Sequence, residues 1–129
     1  TGHLVLATLH TNDAASAVTR LTDMGIEPFL LSSSLLGVLA QRLVRKLCTH
    51  CNGAGCGECG QTGYQGRTGI FEILQTTDAI RAQIHNKTSE ADIRAAAIQS
   101  GMTLMREDGE RLVREGITSR EELVRVTRD

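Results

Sequence analysis

The sequence predicts an α/β fold that carries a metal-binding insertion and ends in a helical bundle. Three features predict it: an apolar run near the start that is followed by a helical pattern, four clustered cysteines, and helix-capping signals throughout the last third. The chain has 129 residues, of which 40% are hydrophobic, and this is enough to bury a core. We expect four regions: an α/β core part (1–47), the cysteine insertion (48–66), a return strand (67–76) and a helical subdomain (77–129).

The first element is a predicted strand over residues 3–10. Its nearly continuous apolar character is typical of a strand that is covered on both faces in an α/β sheet. Apolar residues from Ala14 onward then recur at helical spacing, and Gly25 supplies a stop signal. Thr11 or Asn12 can cap the start of this helix. The two elements form a strand-loop-helix unit.

The middle of the chain is predicted to contain a helix, and two short strands that flank the cysteines. Pro28 is a residue favoured in the first turn of helices, and it precedes a mostly apolar segment, 29–40, that indicates a buried helix. Residues 41–47 are predicted to form a strand that leads into the cysteines. Residues 63–69 are rich in turn-forming residues and lead into a second strand at 70–74.

The last third of the chain is predicted to be helical because capping residues recur along it. The predicted signals are Thr77 or Asp78 for a helix over 78–86, Ser89 with Asp92 for the next, apolar positions for a helix over 103–115, and Thr118 with Glu121 for the last. We expect these helices to pack as a small bundle, so that the chain divides near residue 76.

Four cysteines lie close together, and the chain has no others. They are Cys48, Cys51, Cys56 and Cys59, spaced as two Cys-x-x-Cys pairs. Four thiolates at this spacing suit a structural Zn²⁺, which prefers a closed tetrahedral site. Asn52 and Gly60 each follow the second cysteine of a pair, where the turning backbone needs a positive φ. The sequence therefore predicts the four cysteines as zinc ligands.

Two other uses of the cysteines remain open at this stage: a pair of disulfides and a redox-active Cys-x-x-Cys. Disulfide frameworks are typical of short secreted domains, and the sequence shows no signal-peptide pattern before the cysteines. A thioredoxin-like pair would open a helix in a strand-helix-strand unit, whereas these pairs lie among glycines. Both features favour zinc and a reducing compartment.

Composition argues against nucleic-acid binding and against a membrane span. Aromatic residues make up 2% of the chain, the net charge is −1 and the pI is about 6.4, so little is available to stack on bases or attract phosphates. The longest apolar run is interrupted by three serines at 32–34 and ends at Arg42, short of the ~20 residues that a span requires. We expect a soluble chain. Because it begins at Thr1, without an initiator Met, we also expect a fragment.

His3 and His10 mark the two ends of the first predicted strand. Seven residues of strand span about 23 Å, so the two side chains cannot share one metal ion. In an open α/β sheet, ligands bind beyond the carboxyl ends of the strands, which is where His10 would lie. His10 is therefore the stronger site candidate, while a hydrogen-bonded structural histidine remains the alternative for both positions.

Four stretches of the sequence together resemble the type II secretion and type IV pilus assembly ATPases. Residues 1–14 resemble the histidine box of that family, and residues 40–48 lead into the cysteines as they do there. Residues 66–72 follow the cysteines, and residues 116–119 with 125–127 close the chain. The closing stretch is similar to the type II secretion branch, and pilus assembly ATPases share much of the whole pattern.

The resemblance implies a hexameric ATPase with a RecA-like domain. This chain would be the C-terminal part of that domain, with an inserted four-cysteine zinc subdomain and a C-terminal helical bundle. Such a motor is cytoplasmic, binds ATP and Mg²⁺ at subunit interfaces, and powers pseudopilus assembly at the inner membrane through contact with platform proteins. By the same resemblance, His10 would lie near the γ-phosphate, His3 would stand at the other end of the box, and the zinc would be structural. The chain has no G-x-x-x-x-G-K-[ST] phosphate loop, so we expect it to be inactive alone.

Two alternatives from other classes of protein stay open at this stage. Residues 48–55 fit the Cys-x-x-Cys-x-Gly-x-Gly repeat of the J-protein chaperone zinc region, but that region has several copies and this chain has one good copy. The chaperone hypothesis also leaves residues 1–14 and the closing stretch unexplained. The other alternative is a zinc-stabilised interaction module without ATPase function, and a phosphate-loop sequence upstream would decide against it.

Overall fold

The computed structural model describes residues 2–128, which contain six α-helices and one two-stranded sheet. In chain order the elements are α1 (Ala14–Asp23), α2 (Pro28–Ser34), β1 (Gly37–Leu47), β2 (Tyr64–Gln75), α3 (Asp78–His85), α4 (Glu90–Gln99), α5 (Met105–Arg114) and α6 (Arg120–Thr127). A short 3-10 turn, Gly57–Cys59, lies in the loop between the two strands. Within residues 2–128, no helix has the length and apolar character needed to cross a bilayer.

The strand predicted over residues 3–10 is wrong for this chain. Residues 2–11 have no regular secondary structure, and Leu4, Val5 and Leu6 are 71%, 79% and 87% exposed. A buried strand needs hydrogen-bonding neighbours, and the two strands found within residues 2–128 pair with each other instead. The apolar side chains of this segment therefore remain uncovered.

Helix α1 begins where predicted, but a different residue caps it. Asp13 Oδ1 accepts a hydrogen bond from the Ser16 N–H at 2.8 Å, and Ser16 Oγ accepts one from the Asp13 N–H at 3.0 Å. This reciprocal box replaces the predicted cap by Thr11 or Asn12, because Asp13 is the extended residue directly before the helix. The stop predicted at Gly25 is confirmed, since this residue has a φ of 97° just beyond the helix end.

Helix α2 is shorter than predicted. Pro28 occupies its first turn as expected, but the helix ends at Ser34 rather than at residue 40. The hydroxyls of Ser33 and Ser34 bond back to carbonyl oxygens of the preceding turn, which competes with regular helix geometry. From Gly37 onward the backbone pairs with β2. The predicted helix is therefore wrong beyond Ser34, because residues 37–40 pair with β2 as part of strand β1.

Strands β1 and β2 form an antiparallel hairpin whose loop carries the cysteines. The register runs from Gly37 opposite Gln75 to Leu47 opposite Tyr64. Both strands are longer than predicted, and β2 already begins at Tyr64. The glycine-rich residues 63–69 were expected to form a turn, but most of them join the strand because their backbone groups find partners in β1. This pairing outweighs the poor strand preference of glycine.

The helices pack on one face of the hairpin. Alternate strand residues point to opposite faces, and on the covered face Val44, Ile70 and Leu74 are fully buried. On the opposite face Leu39 and Ile73 are more than half exposed. The buried side chains form two clusters, the first of Ala14, Ala15, Val18, Leu31, Leu74, Ile80, Ile84, Ile93 and Ala97, and the second of Val44, Ile70, Met105, Leu112, Leu123 and Val126. Helices α1 to α4 thus pack around the first cluster, and α5 and α6 around the second.

The four helices predicted after residue 76 are all present. Thr77 caps α3 and Ser89 caps α4, as expected. The cap of α6 is Ser119, whose Oγ accepts a hydrogen bond from the first turn at 3.1 Å. The predicted cap, Thr118, is buried and donates its hydroxyl to the Arg45 carbonyl oxygen at 2.7 Å. Thr118 therefore joins the start of α6 to β1 instead of capping the helix.

Glu122 is a buried carboxylate that fastens α6 to β1. Its side chain is 0% exposed and accepts hydrogen bonds from the Arg45 guanidinium at 2.9 and 3.1 Å and from the Arg125 guanidinium at 2.7 and 2.8 Å. The Arg45 backbone N–H donates another at 2.8 Å. The bonds from Arg125, helped by those from Arg45, outweigh burial and hold the pKa of Glu122 well below its usual range.

We predict that Glu122→Gln destabilises the chain by about 2 kcal/mol at pH 7, because the amide NH₂ group cannot accept the hydrogen bonds that one carboxylate oxygen takes from the two guanidinium groups. Since the native pKa is depressed, the stabilisation is complete above the pKa of an unfolded glutamate, about 4.3, and is lost as the pH falls below it. Urea unfolding between about pH 3 and pH 7 measures both effects. Glu121→Gln changes the exposed neighbouring residue and is the control. Equal effects of the two substitutions would contradict the role of Glu122.

Candidate metal centre and histidine segment

The candidate metal centre is the cysteine loop at the tip of the hairpin. Its four Sγ atoms lie within 4.8 Å of one another, and the group could hold a metal ion. The pairs Cys48–Cys56, Cys51–Cys59 and Cys56–Cys59 each have Sγ atoms 3.8 Å apart. Sulfurs at the corners of a tetrahedron around Zn²⁺, each about 2.3 Å from the ion, are separated by about 3.8 Å. The cluster therefore has the size that a tetrahedral metal ion requires.

The same geometry excludes the disulfide alternative. All four cysteines are free, and their 3.8 Å separations far exceed the roughly 2.05 Å of a disulfide bond. The redox alternative also lacks its structural context, because neither pair opens an α-helix in the described loop. What the loop offers is a set of four sulfur ligands around one point.

Two tight turns bring the cysteine pairs together. Asn52 and Gly60, which follow the pairs, have φ angles of 54° and 64°, as predicted. Backbone N–H groups also face the sulfurs. That of Gly55 donates to Cys51 Sγ at 3.1 Å, and that of Gly63 donates to Cys59 Sγ at 3.2 Å. Because such hydrogen bonds stabilise negative charge on sulfur, the loop is organised to hold thiolates.

The first and last cysteines differ in their tendency to ionise. Cys48 is fully buried, and burial, reinforced by neighbouring thiols, raises its pKa to about 11. Burial also disfavours the thiolate of Cys59, but the N–H groups of Cys56 and Gly63 outweigh it and lower the pKa to about 6. A bound cation favours the thiolate form of both, so metal binding is expected to release protons.

The cysteine loop is fastened to the start of α6 at its base. The Leu47 N–H donates to the Ile117 carbonyl oxygen at 2.7 Å, and the Tyr64 hydroxyl lies 2.6 Å from Ser119 Oγ. The Arg45 guanidinium carbon stands 4.2 Å from the centre of the Tyr64 ring in a cation–π contact. A movement of the loop base therefore has to break contacts with the residues just before α6.

The two predicted site histidines lie away from regular structure. His3 and His10 are exposed, and neither belongs to the cysteine group that could hold a metal ion among residues 2–128. Because residues 2–11 form no strand, the expected placement of His10 at the carboxyl end of a strand is not seen in this chain. The roles of His10 and His3 stay predictions.

A junction formed by residues 11–14 fastens this histidine segment to the core. Arg42 of β1 donates a hydrogen bond to Asn12 Oδ1 at 3.0 Å. Arg94 of α4 forms an ion pair with Asp13, with 2.7 Å between the guanidinium nitrogen and the carboxylate oxygen. The two arginines hold successive residues of the junction on different elements of the fold.

Glu72 is a third partner of the junction; it ends the motif stretch 66–72, but the sequence analysis predicted no role for it. The side chain lies on the covered face of β2, and the residue is 3% exposed. Its Oε2 accepts a hydrogen bond from the Ala14 N–H at 2.8 Å, and its Oε1 accepts one from the Met105 N–H at 3.0 Å. A signal was present in the sequence, because Glu72 alternates with Ile70 and Leu74 at a position where an apolar residue is the rule.

Comparison with protein-family models shows which family the chain belongs to. The model of the type II/IV secretion system protein family matches residues 1–125. The chain belongs to this family. Membership accounts for the stretches at both ends of the chain that the J-protein hypothesis left unexplained, and that hypothesis is therefore wrong.

Individual relatives agree with the family assignment. Type II secretion system protein HxcR of Pseudomonas aeruginosa is 62% identical, over all of this chain and 29% of its own length. Type II secretion system ATPase E of Vibrio cholerae is 47% identical, over all of this chain and 30% of its own length. The chain thus spans under a third of the length of these relatives, and the resemblance stated from the sequence motifs is confirmed.

A solved structure supports the fold class. The crystal structure of the pilus retraction motor PilT with bound ADP matches with a TM-score of 0.74 at 26% identity, covering 100% of this chain and 34% of that one. The predicted fold class is confirmed: the chain is part of a RecA-like α/β ATPase domain, with a four-cysteine insertion and C-terminal helices.

We predict that Gly63→Ala lowers the affinity for Zn²⁺ roughly ten- to a hundredfold. Gly63 has a φ of 83°, and a Cβ there would lie 2.5 Å from the Gly53 carbonyl oxygen, so an alanine displaces the N–H that faces Cys59. Competition against a chromophoric chelator measures the affinity. Gly57→Ala is the matched control, because a Cβ at Gly57 meets nothing within 4 Å. Equal affinities of the two variants would contradict the role of Gly63.

Proposed function

We propose that this chain is part of an ATP-hydrolysing motor that powers type II protein secretion by assembling a pseudopilus at the bacterial inner membrane. The observation that carries the proposal is the 62% identity, over the entire chain, to a type II secretion system protein. A relative that is 47% identical is named as the ATPase of such a system. In the full-length protein we expect a hexamer on the cytoplasmic side, held at the membrane by platform proteins of the secretion system.

Zn²⁺ is the ion we propose for the cysteine loop. Four sulfur ligands in a closed tetrahedral set, with no position left for a substrate, are typical of structural zinc sites. The Sγ separations of 3.8 Å fit this ion. The ligands would be Cys48, Cys51, Cys56 and Cys59. Bound zinc would neutralise their thiolate charge and hold the two turns of the loop together.

ATP and Mg²⁺ are the cofactors we propose for the full-length protein. Phosphoryl transfer needs groups that cradle the phosphates, hold Mg²⁺ and place the attacking water. This chain has no phosphate-loop motif, and its lysines, Lys46 and Lys87, follow no such glycine loop, so we expect no hydrolysis by the chain alone. Its contribution would be His10, whose imidazole would contact the γ-phosphate, with His3 at the other end of the same segment.

A type IV pilus assembly ATPase is the second candidate. The observation that favours it is the 44% identity, over 98% of this chain, to the type IV pilus assembly ATPase PilB of Thermus thermophilus. Sequence identity favours the secretion branch, since it is 62% to HxcR and 44% to PilB. The two candidates share the same fold and the same proposed chemistry, and they differ in the filament that the motor assembles.

We predict that His10→Ala in the full-length protein lowers kcat roughly a hundredfold and changes nucleotide affinity little. A donor whose contact strengthens as charge develops in the transition state affects turnover more than binding. Steady-state hydrolysis and nucleotide binding by the assembled hexamer measure the two quantities. His85→Ala, at an exposed position at the end of α3, is the control. A wild-type rate, or a loss that weaker binding fully explains, would remove His10 from the reaction.

A further inference from the structure

The junction is the point at which the exposed histidine segment enters the folded core. Residues 2–8 are exposed and Ala14 is fully buried, so the chain passes from surface to core within a few residues. Three side chains from three elements hold the junction: Arg42 of β1, Glu72 of β2 and Arg94 of α4. Because His10 directly precedes the junction, its location depends on how the junction is held.

Glu72 makes the innermost of these contacts. Its two carboxylate oxygens accept hydrogen bonds from the N–H groups of Ala14 and Met105, which are the first residues of α1 and α5. N–H groups in the first turn of a helix have no partner within the helix, and the helix dipole favours a negative charge there. One buried carboxylate therefore satisfies two helix starts and fixes both of them on β2.

The bond from Ala14 to Glu72 goes beyond ordinary capping. Helix α1 already has a local cap, because Asp13 and Ser16 satisfy each other's N–H groups. The bond to Glu72 adds a link across 58 positions of sequence, from the junction to the strand that returns from the cysteine loop. At α5 the situation differs, since Leu104 supplies no side-chain cap and Glu72 takes that place.

We propose that Glu72 is a positioning residue for His10. By fixing the first N–H of α1 on β2, it sets the point and the direction from which the histidine segment leaves the core towards the nucleotide. The proposal rests on the function proposed for His10 above.

A double-mutant cycle in the full-length hexamer separates positioning from general stability. Glu72→Gln keeps the size of the side chain but replaces one acceptor oxygen with an NH₂ group, so one of the two N–H groups loses its partner. We expect kcat to fall roughly tenfold with nucleotide affinity unchanged, because a small misplacement of a reacting group costs up to about a hundredfold. In the His10→Ala background we expect the same substitution to change kcat less than about twofold, because the group that it positions is already absent.

Each outcome of the cycle decides the proposal. A wild-type kcat for Glu72→Gln, or equal losses in the two backgrounds, would overturn the positioning role. If His10→Ala alone leaves kcat unchanged, the proposed function of His10 fails and the inference falls with it, so the two failures are distinguishable. Glu72→Asp keeps the charge on a shorter side chain and repeats the cycle if Glu72→Gln does not assemble. Failure of both variants to assemble would make Glu72 a folding residue and overturn the proposal.

The control for this cycle is Glu121→Gln, which removes one carboxylate from an exposed position of α6. We expect it to leave kcat unchanged in both backgrounds. Metal content, measured for every variant, shows whether a loss of activity follows from the junction or from a damaged cysteine loop.

Discussion

A ladder of backbone hydrogen bonds between β1 and β2 places the groups on which the proposed function depends. The strands run antiparallel up to the pair Leu47 and Tyr64, so Cys48 and Gly63 leave the ladder side by side, and the Cys48 N–H donates to the Gly63 carbonyl oxygen at 2.9 Å. The loop between them then needs only tight turns to bring four sulfurs to tetrahedral spacing. The same ladder puts Glu72 on the covered face, where it meets two helix starts.

Two buried carboxylates join the helices to this hairpin in different ways. A buried carboxylate is costly unless charges or hydrogen bonds compensate it; Glu122 has both, and Glu72 has hydrogen bonds. Glu72 is satisfied by backbone N–H groups of α1 and α5, whereas Glu122 is satisfied by the guanidinium groups of Arg45 and Arg125. The helices after residue 76 therefore pack against the hairpin as well as against one another. Helices α5 and α6 share their core with the hairpin, next to the base of the cysteine loop.

Local signals in the sequence predicted the features that local chemistry decides. The spacing of the cysteines, the positive-φ turns after each pair and the start of α2 at Pro28 each depend on a residue's own backbone or ligand preference. The errors lie where distant partners decide. The strand predicted over 3–10 has no pairing partner among residues 2–128. In the helix predicted over 29–40, residues 37–40 instead pair with β2. Glu72 was missed for the same reason, because its partners lie 58 and 33 positions away.

Hydrogen exchange with and without the metal tests most directly whether an ion closes the hairpin loop. The zinc-loaded chain and the same chain treated with a chelator are compared by mass spectrometry. The predicted result is that the amides of residues 48–63 lose protection on chelation, because their hydrogen bonds depend on sulfurs that the ion holds in place. The amides of α3 and α4, which pack around the other buried cluster, keep their protection. Unchanged protection at residues 48–63, or an equal loss along the whole chain, would contradict the account.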